Sequence, residues 1–298
     1  MSRTLLLIKR NVKLFFKDKG LFFTALITPA ILLVLYATFL GNVYRDAFLT
    51  NLPNASSLSK KLIDGLVGSQ LISSILAVSC VTVAFCSNFL MVTDKANGTI
   101  KDLSISPTKK STLALSYYLA TIISTLIICL AATVLCLIYL YAVGFFMSVI
   151  DVILLFVDVI MLVLFGTALS SVINFFLSSQ GQISAVGTIV SSGYGFICGA
   201  YMPISSFGEG LQKTISLLPG TYATALIRNH SMRGALSELE KEGITADAVN
   251  ALKDAMDCNI YFFEHKVDIS TMYIILGAST AILLGIYILI NVLKKKSK

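Results

Sequence analysis

Long apolar stretches alternate with short polar ones along almost the whole chain. Six apolar stretches reach about 20 residues, the length at which a helix crosses the hydrocarbon core of a bilayer. They cover residues 20–41, 66–92, 113–142, 149–175, 182–201 and 270–293. The strands of a membrane β-barrel would instead be short segments in which apolar and polar residues alternate. The pattern therefore predicts an all-α integral membrane protein with six transmembrane helices.

The composition agrees with this interpretation. Of the 298 residues, 56% are hydrophobic and only 13% are charged, whereas a soluble domain carries roughly twice that charged fraction. The first apolar stretch is too long for a signal peptide, and no small-residue cleavage site follows Leu40. Residues 20–41 are therefore expected to remain as the first span, followed by a short polar outer loop at 42–64.

Residues 1–19 precede the first span and have an amphipathic pattern. Apolar side chains from Leu5 to Phe15 recur at helical spacing, and a row of lysines lies on another face. These lysines are Lys9, Lys13 and Lys17. A helix of this kind lies in the membrane interface with its lysines toward anionic headgroups. We therefore expect 1–19 to be an interfacial helix on the cytoplasmic side.

The polar segments set the remaining boundaries. Residues 20–201 would hold five spans, with a cytoplasmic loop at 93–111 between the second and third. Residues 202–234 contain apolar pieces too short to cross, which is typical of re-entrant helices in the outer leaflet. Residues 235–269 are acidic and predict a small extracellular cap. Residues 270–298 form the sixth span and a basic cytoplasmic tail.

The predicted re-entrant pair runs from Ile204 to Arg228. Pro219-Gly220 would supply the turn between its two arms. Leu211, Ile215 and Leu218 share a helical face that would be buried. Arg228, at the end of the second arm, is expected to extend its guanidinium outward to the headgroups.

The net charge of +7 indicates topology more than ligand chemistry. Basic residues concentrate in the N-terminal segment, the 93–111 loop and the C-terminal tail, so both termini are expected in the cytoplasm. Three separate membrane-proximal clusters without aromatic platforms do not suit nucleic acid. The six cysteines and two histidines show no metal-ligand spacing. The chain also lacks a P-loop and any nucleophile–base set, so we expect no metal, no cofactor and no catalytic residue.

Two aspartates interrupt the fourth span. Asp151 and Asp158 are seven residues apart and share one helical face. Asp151 is near the outer end and is expected to be solvated. Asp158 lies deeper, where an ionisable group is a functional candidate. It could bind a cationic substrate, pair with a partner subunit or take up protons.

Two stretches resemble the membrane subunits of ABC-2-type ABC transporters. Their second span ends in an acidic–basic pair followed by Gly-Thr, a leucine and Ser-Pro. Here those positions are Asp94-Lys95, Gly98-Thr99, Leu103 and Ser106-Pro107. Asp94-Lys95 stands where Glu-Arg is common in the family. Lysine carries a point charge and cannot form the bidentate contacts that arginine makes. After the fifth span the family has a proline turn, a Leu-Pro and an aromatic-to-arginine helix. Here these are Pro203, Leu218-Pro219 with Gly220, and Tyr222 to Arg228.

The resemblance implies an ABC-2, type V exporter-like fold and a permease in a bacterial cytoplasmic membrane. Two cytoplasmic ATPase subunits would bind ATP and Mg, and the loop containing Lys101 would contact them. A second permease subunit, identical or paralogous, would complete a path lined by the second and fifth spans. The cargo implied is a hydrophobic or amphipathic drug, antibiotic, peptide or lipid. The re-entrant pair would form the outer gate.

Two other classes of function fit the composition. A proton-coupled secondary carrier would use Asp158 as its proton site, although such carriers usually contain internal repeats. A ligand-binding immunity or receptor protein would use the outer cap. Co-purification of a soluble ATPase separates the exporter from both.

Overall fold

The computed structural model describes residues 3–51, 58–105, 109–263 and 265–296. Helix α1 (Arg3–Lys17) confirms the predicted N-terminal helix. Phe15 is buried while Leu5 is 46% exposed, and the lysine row is exposed. Leu7 and Leu14 pack on a small cluster formed by α4 and α6. That α1 lies in the membrane interface stays a prediction.

The first span is longer than its apolar stretch. Helix α2 (Lys19–Leu35) begins after Asp18, whose carboxylate accepts a hydrogen bond from the Leu21 amide. A π-helical turn (Tyr36–Leu40) leads into α3 (Gly41–Asn51). The prediction of a polar loop at 42–64 is wrong for residues 42–51, because the helix continues through Asn51. Arg45 of α3 forms an ion pair with Asp64 of α4, whereas Asn42, Asp46 and Thr50 are exposed.

Helix α4 (Lys60–Ala96) is the central element of the bundle. Its 37 residues span about 55 Å. The surrounding helices bury all of its most apolar 18-residue stretch. Helices α2, α6, α7, α8 and α10 all pack against it. Among its buried hydroxyl side chains, Ser73, Ser79 and Thr82 donate to carbonyls of α4 itself.

The next helices follow the predicted order. A short helix α5 (Thr99–Ile105) precedes α6 (Lys110–Val143), and a turn at Gly144 leads to α7 (Val149–Phe176). Helix α7 begins with a capping box between Ser148 and Asp151.

Helices α8 (Gln180–Ile197) and α10 (Pro219–Lys241) pack at successive levels of α4. A Cβ at Gly187 of α8 would lie 3.4 Å from the Phe89 ring, whereas Ser231 of α10 donates a hydrogen bond to the Ser69 carbonyl at 3.3 Å. Phe89 and Ser69, the two α4 residues in these contacts, are about 30 Å apart along the helix. Helix α10 therefore continues along α4 beyond the part that α8 covers.

A short 3-10 turn (Ile204–Ser206) and α9 (Glu209–Ile215) lie between α8 and α10. Helix α11 (Ala246–Ala255) and a minimal hairpin of β1 (Tyr261–Phe262) and β2 (His265–Lys266) follow α10, and we call this part of the chain the cap. That the cap is extracellular stays a prediction. Helix α12 (Ile269–Lys296) completes the chain.

Five helical stretches in the described residues are long and apolar enough to cross a membrane. They are Lys19–Thr50, Lys60–Ala96, Ser111–Val143, Val149–Phe176 and Ile269–Leu293. The prediction of a helical membrane protein is confirmed in this coarser form. Helix α8 is not among the five because glycines, serines and glutamines dilute its apolar residues. The sixth span and the re-entrant hairpin stay predictions.

Candidate functional site

The first candidate site lies where α1, α4 and α6 meet, at the start of the predicted coupling loop. Asp94 is buried and accepts hydrogen bonds from Arg10 at 2.8 Å and from the Tyr117 hydroxyl at 2.5 Å. Arg10 also bonds to the amide oxygen of Asn11. The carboxylate of Asp94 therefore joins three helices within this chain.

Lys95 binds the end of α7. Its ammonium lies 2.8 Å from the Phe175 carbonyl and 3.3 Å from the carbonyls of Asn174 and Leu177. It also lies 5.3 Å from the centre of the Phe175 ring. A cation at a helix C-terminus compensates the unpaired carbonyls and the helix dipole. A lysine suits this role because a point charge can contact several carbonyls at once.

The rest of the predicted coupling motif forms a turn and the helix α5. Gly98 has φ +79°, a conformation that favours glycine, and Thr99 begins α5. Leu103 packs on the cluster that also holds Leu7 and Leu14, and Lys101 is exposed. Ile105, at the end of the helix, is 84% exposed. Ser106 and Pro107 lie outside the described residues.

The second candidate site is the predicted outer hairpin, whose geometry differs from the expectation. Pro219 and Gly220 open α10 instead of forming a turn between equal arms, and α10 continues to Lys241. Proline suits the first helical position because its missing N–H would have no intrahelical partner. A Cβ at Gly220 would come within 2.6 Å of the Tyr194 hydroxyl, so this glycine permits close contact between α10 and α8.

The first turn of α10 holds the end of α9. The Tyr222 hydroxyl donates to the Ser216 carbonyl at 2.5 Å, and Thr221 donates to the Ile215 carbonyl at 2.8 Å. Of the three residues expected on the buried face of the first arm, only Ile215 is buried. Leu211 is exposed and Leu218 is intermediate, because α9 ends at Ile215 and the helical face does not continue.

Arg228 does not reach outward, which corrects the expectation. It is 1% exposed and donates to the carbonyls of Met256 at 2.8 Å and Gly199 at 2.9 Å. Its guanidinium also lies 3.4 Å from a carboxylate oxygen of Asp257. The planar fork of arginine allows these contacts in different directions. Arg228 therefore ties α10 to the cap and to the segment after α8.

Asp257 is the acidic partner in this clamp. It is buried, has φ +52°, and accepts a hydrogen bond from the Ile204 amide at 2.9 Å. Burial raises the pKa of Asp257 to about 6, although Arg228 and the Ile204 amide both favour the charged form. The protonation state of Asp257 therefore changes near that pH.

The third candidate site surrounds Asp158, which is 1% exposed. One carboxylate oxygen lies 2.6 Å from Nδ1 of His230 on α10, and the other accepts a hydrogen bond from Tyr273 on α12. Asp158 thus faces protein and connects α7, α10 and α12. This pairing within the chain is not among the roles of Asp158 that the sequence left open, and the functional role of Asp158 stays a prediction.

Asp151 is buried, contrary to the expectation that it would be solvated. It caps the start of α7 through Ser148 and forms an ion pair with Arg233 of α10. Its exposure is low because α10, which the sequence did not predict as a long helix, covers this end of α7.

Sequence reasoning missed the partners of both aspartates. His230 and Arg233 are one helical turn apart on α10 and pair with the two α7 aspartates. The available signal was that two residues able to carry positive charge lie close together on α10 and two aspartates share one face of α7. It could not be used while α10 was expected to end at Arg228.

Helix α8 presents an exposed face of small and hydroxylated residues. Ser184, Thr188 and Ser192 are exposed and follow one another at four-residue spacing. Each hydroxyl donates to the carbonyl four residues earlier, at 3.2, 2.9 and 2.7 Å. No metal-binding group of three or more His, Cys, Asp or Glu side chains occurs within the described residues.

Comparison with known proteins gives one family. The model of the family described as ABC-2 type transporter matches residues 2–230. This range includes α1 to α9 and the part of α10 that contains Arg228 and His230. The curated proteins gave no match.

Proposed function

The chain belongs to the ABC-2 type transporter family, and we propose that it is the permease subunit of an exporter driven by a separate ATPase. Membership in this family implies an ABC ATPase partner. We propose two ATPase copies and a second permease subunit, identical or paralogous, in a bacterial cytoplasmic membrane. Both termini would face the cytoplasm.

The exposed face of α8 carries the proposal. A row of hydroxyls suits a partner subunit or an aqueous path better than lipid, and small residues allow close helix approach. Because α4 is enclosed by its own bundle, α8 would supply most of this chain's lining of the path. The second span, expected beside it, would support α8 from behind.

Helix α5 is the proposed contact with the ATPase. Ile105 is the most exposed large apolar residue on α5, and a projecting apolar side chain beside Lys101 suits a docking groove. Asp94 and Lys95 would act differently. Their bonds to α1, α6 and α7 would transmit movement of α5 into the bundle.

The break between α8 and α10 is the proposed outer gate. Tyr222 and Thr221 hold α9 against α10, and Arg228 holds α10 against the cap. Movement of α8 would therefore reach the cap through residues 198–218. The proposed cargo is a hydrophobic or amphipathic drug, antibiotic, peptide or lipid, which is what the family resemblance implies.

Reconstitution with the ATPase tests the proposal. Proteoliposomes containing both subunits should move a lipophilic dye when ATP is present. Thr188→Leu should lower this transport several-fold, whereas Ile189→Leu, at the exposed neighbouring position, should preserve it. Ile105→Ser should lower the ATPase rate stimulated by the permease. Dye movement that is indifferent to ATP and to the ATPase would contradict the exporter.

The pairing of Asp158 with His230 favours one second candidate, a proton-coupled carrier. A buried carboxylate beside an imidazole is a common arrangement for proton transfer. In proteoliposomes without ATPase, such a carrier would accumulate substrate under an imposed pH gradient, and Asp158→Asn would abolish this. An exporter would show no gradient-driven transport.

A further inference from the structure

A cleft of about 500 Å³ lies between α9 and the cap. This volume falls within the range of small-molecule sites. Helix α9 contributes Glu209, Gln212 and Lys213, and the cap contributes Asp254, Asp257 and the aromatic residues Tyr261 and Phe263. The cleft is distinct from the exposed α8 face and from the coupling helix α5.

The charges that line the cleft are mainly negative. Three carboxylates face one cation, Lys213. Lys213 is four residues from Glu209 on α9, so these two charges largely offset each other. Asp257 shares its charge with Arg228. Asp254 is exposed and has no cationic partner among the described residues, so the uncompensated charge centres on it.

Asp254 is held in a defined position. Asn259 and the Tyr261 hydroxyl both donate to its Oδ1, at 2.7 and 2.9 Å. Within the described part of the chain, its Oδ2 accepts no hydrogen bond. One oxygen of an oriented carboxylate is thus left for a ligand beside the Tyr261 ring.

The aromatic side chains that line the cleft are exposed, and one of them lies on a residue with positive φ. Phe263 is 56% exposed and Tyr261 is 44% exposed. Asp257 and Phe263, both in the lining, are the non-glycine residues with positive φ within the described ranges. Positive φ is costly for a bulky residue such as phenylalanine, and strained residues concentrate at functional sites.

We propose that this cleft binds an amphipathic organic cation. Its charge would lie near Asp254, and its apolar part would lie against Phe263, Tyr261, Ile204 and Ile260. Aromatic faces attract diffuse cations, and an anion would meet the uncompensated carboxylate of Asp254. A divalent metal ion is disfavoured because the carboxylates do not form a three-ligand group in the described structure. The proposal does not depend on the ATPase.

Equilibrium binding of tetraphenylphosphonium to the full chain in nanodiscs tests the site. Tetraphenylborate has the same shape and the opposite charge, and empty nanodiscs correct for partition into lipid. The chain should bind the cation at least about tenfold more tightly than the anion. Equal binding of the two ions, after correction, would overturn the proposal.

Matched variants locate the binding. Asp254→Asn and Phe263→Leu should each weaken cation binding by about threefold. Glu240→Gln removes an exposed acid elsewhere on α10, and Phe262→Leu changes the adjacent ring that does not line the cleft. Both controls should bind as the wild type does. Unchanged binding in Asp254→Asn and Phe263→Leu would also overturn the proposal.

Two further measurements distinguish the sources of the cation. One applies tetraphenylphosphonium to the outside of intact cells, and the other follows its ATP-driven movement in vesicles containing the ATPase. If Asp254→Asn weakens outside binding alone, the cleft receives a ligand from the medium. If it also slows transport, the cleft lies on the exit path of cargo. If the cation binds in nanodiscs but ATP does not drive its movement in vesicles, the result would contradict the exporter. It would still support the cleft as a binding site for the cation.

Discussion

At the scale of single residues, the buried charges of this chain serve to join segments that are distant in sequence. Asp94 joins α4 to α1 and α6, and Arg228 joins α10 to the cap. Removing one member of a buried pair leaves the other desolvated without compensation, which costs more than the pair itself contributes. Substitution of such residues is therefore expected to lower the stability of the fold, so the stability of each variant has to be measured before its transport is interpreted.

The Arg10–Asp94 contact should show measurable coupling. Asp94→Asn should lower the free energy of unfolding by about 1–2 kcal/mol, because two hydrogen bonds to a charged acceptor are weakened. Arg10→Gln in that background should cost much less than it does in the wild type. Melting curves followed by circular dichroism measure both effects. Asp102→Asn, at an exposed position on α5, is the control, and additive effects of the two variants would contradict the coupling.

Asp257 should give the clamp a pH dependence of defined sign. Its pKa is raised to about 6 in the folded protein, against about 3.9 in an unfolded chain. The folded state therefore binds more protons between these values, and this residue contributes more stability as pH falls from about 7 to 4. Relative to Asp257→Asn, the wild type should gain on the order of 1–2 kcal/mol between pH 7 and pH 5.

Melting curves of both proteins across this pH range check that sign. A wild type that loses stability relative to Asp257→Asn on acidification would show that the Arg228 attraction outweighs the burial of the charge. Glu240→Gln should follow the wild-type curve, because Glu240 is exposed.

At the scale of elements, the sequence predicted helices well where apolar length alone decides them. Spans one to four and the last span all appear, and α4 extends the predicted 66–92 at both ends. Residue patterns did not predict α10 as a long helix, because a buried helix that carries Arg228, His230 and Arg233 looks like a polar outer segment. Its partners, Asp257, Asp158 and Asp151, come from elements that only the tertiary structure brings together.

Lys95 should stabilise the end of α7. Lys95→Met keeps a long side chain but removes the charge that contacts the carbonyls of Asn174, Phe175 and Leu177. Amide hydrogen exchange near Phe175 should then become roughly five- to tenfold faster, as expected for a loss of about 1 kcal/mol. Lys95→Arg should restore most of the protection. Lys101→Met, on the exposed surface of α5, should leave exchange in α7 unchanged.

At the scale of the whole molecule, charge and packing predict one consistent topology. The basic segments lie at the N-terminus, at α5 and after α12, and the acidic residues concentrate in 235–269. The positive-inside rule predicts that the first group is cytoplasmic and that the cap is outside. The side chains of Ser205 and Asp254 line the same cleft. The segments before and after α10 must therefore lie on one side of the membrane.

Cysteine accessibility tests this topology. Ser205→Cys and Asn250→Cys, both at exposed positions, should react with an impermeant maleimide added outside intact cells, whereas Lys101→Cys should react only after the membrane is opened. Ser231 is unsuitable as a probe because it is 1% exposed in the contact with Ser69. The native cysteines give little background, since five are buried and Cys136 is partly buried. Labelling of the Ser205 and Asn250 variants from opposite sides would mean that α10 crosses the whole bilayer, which the shared cleft does not permit.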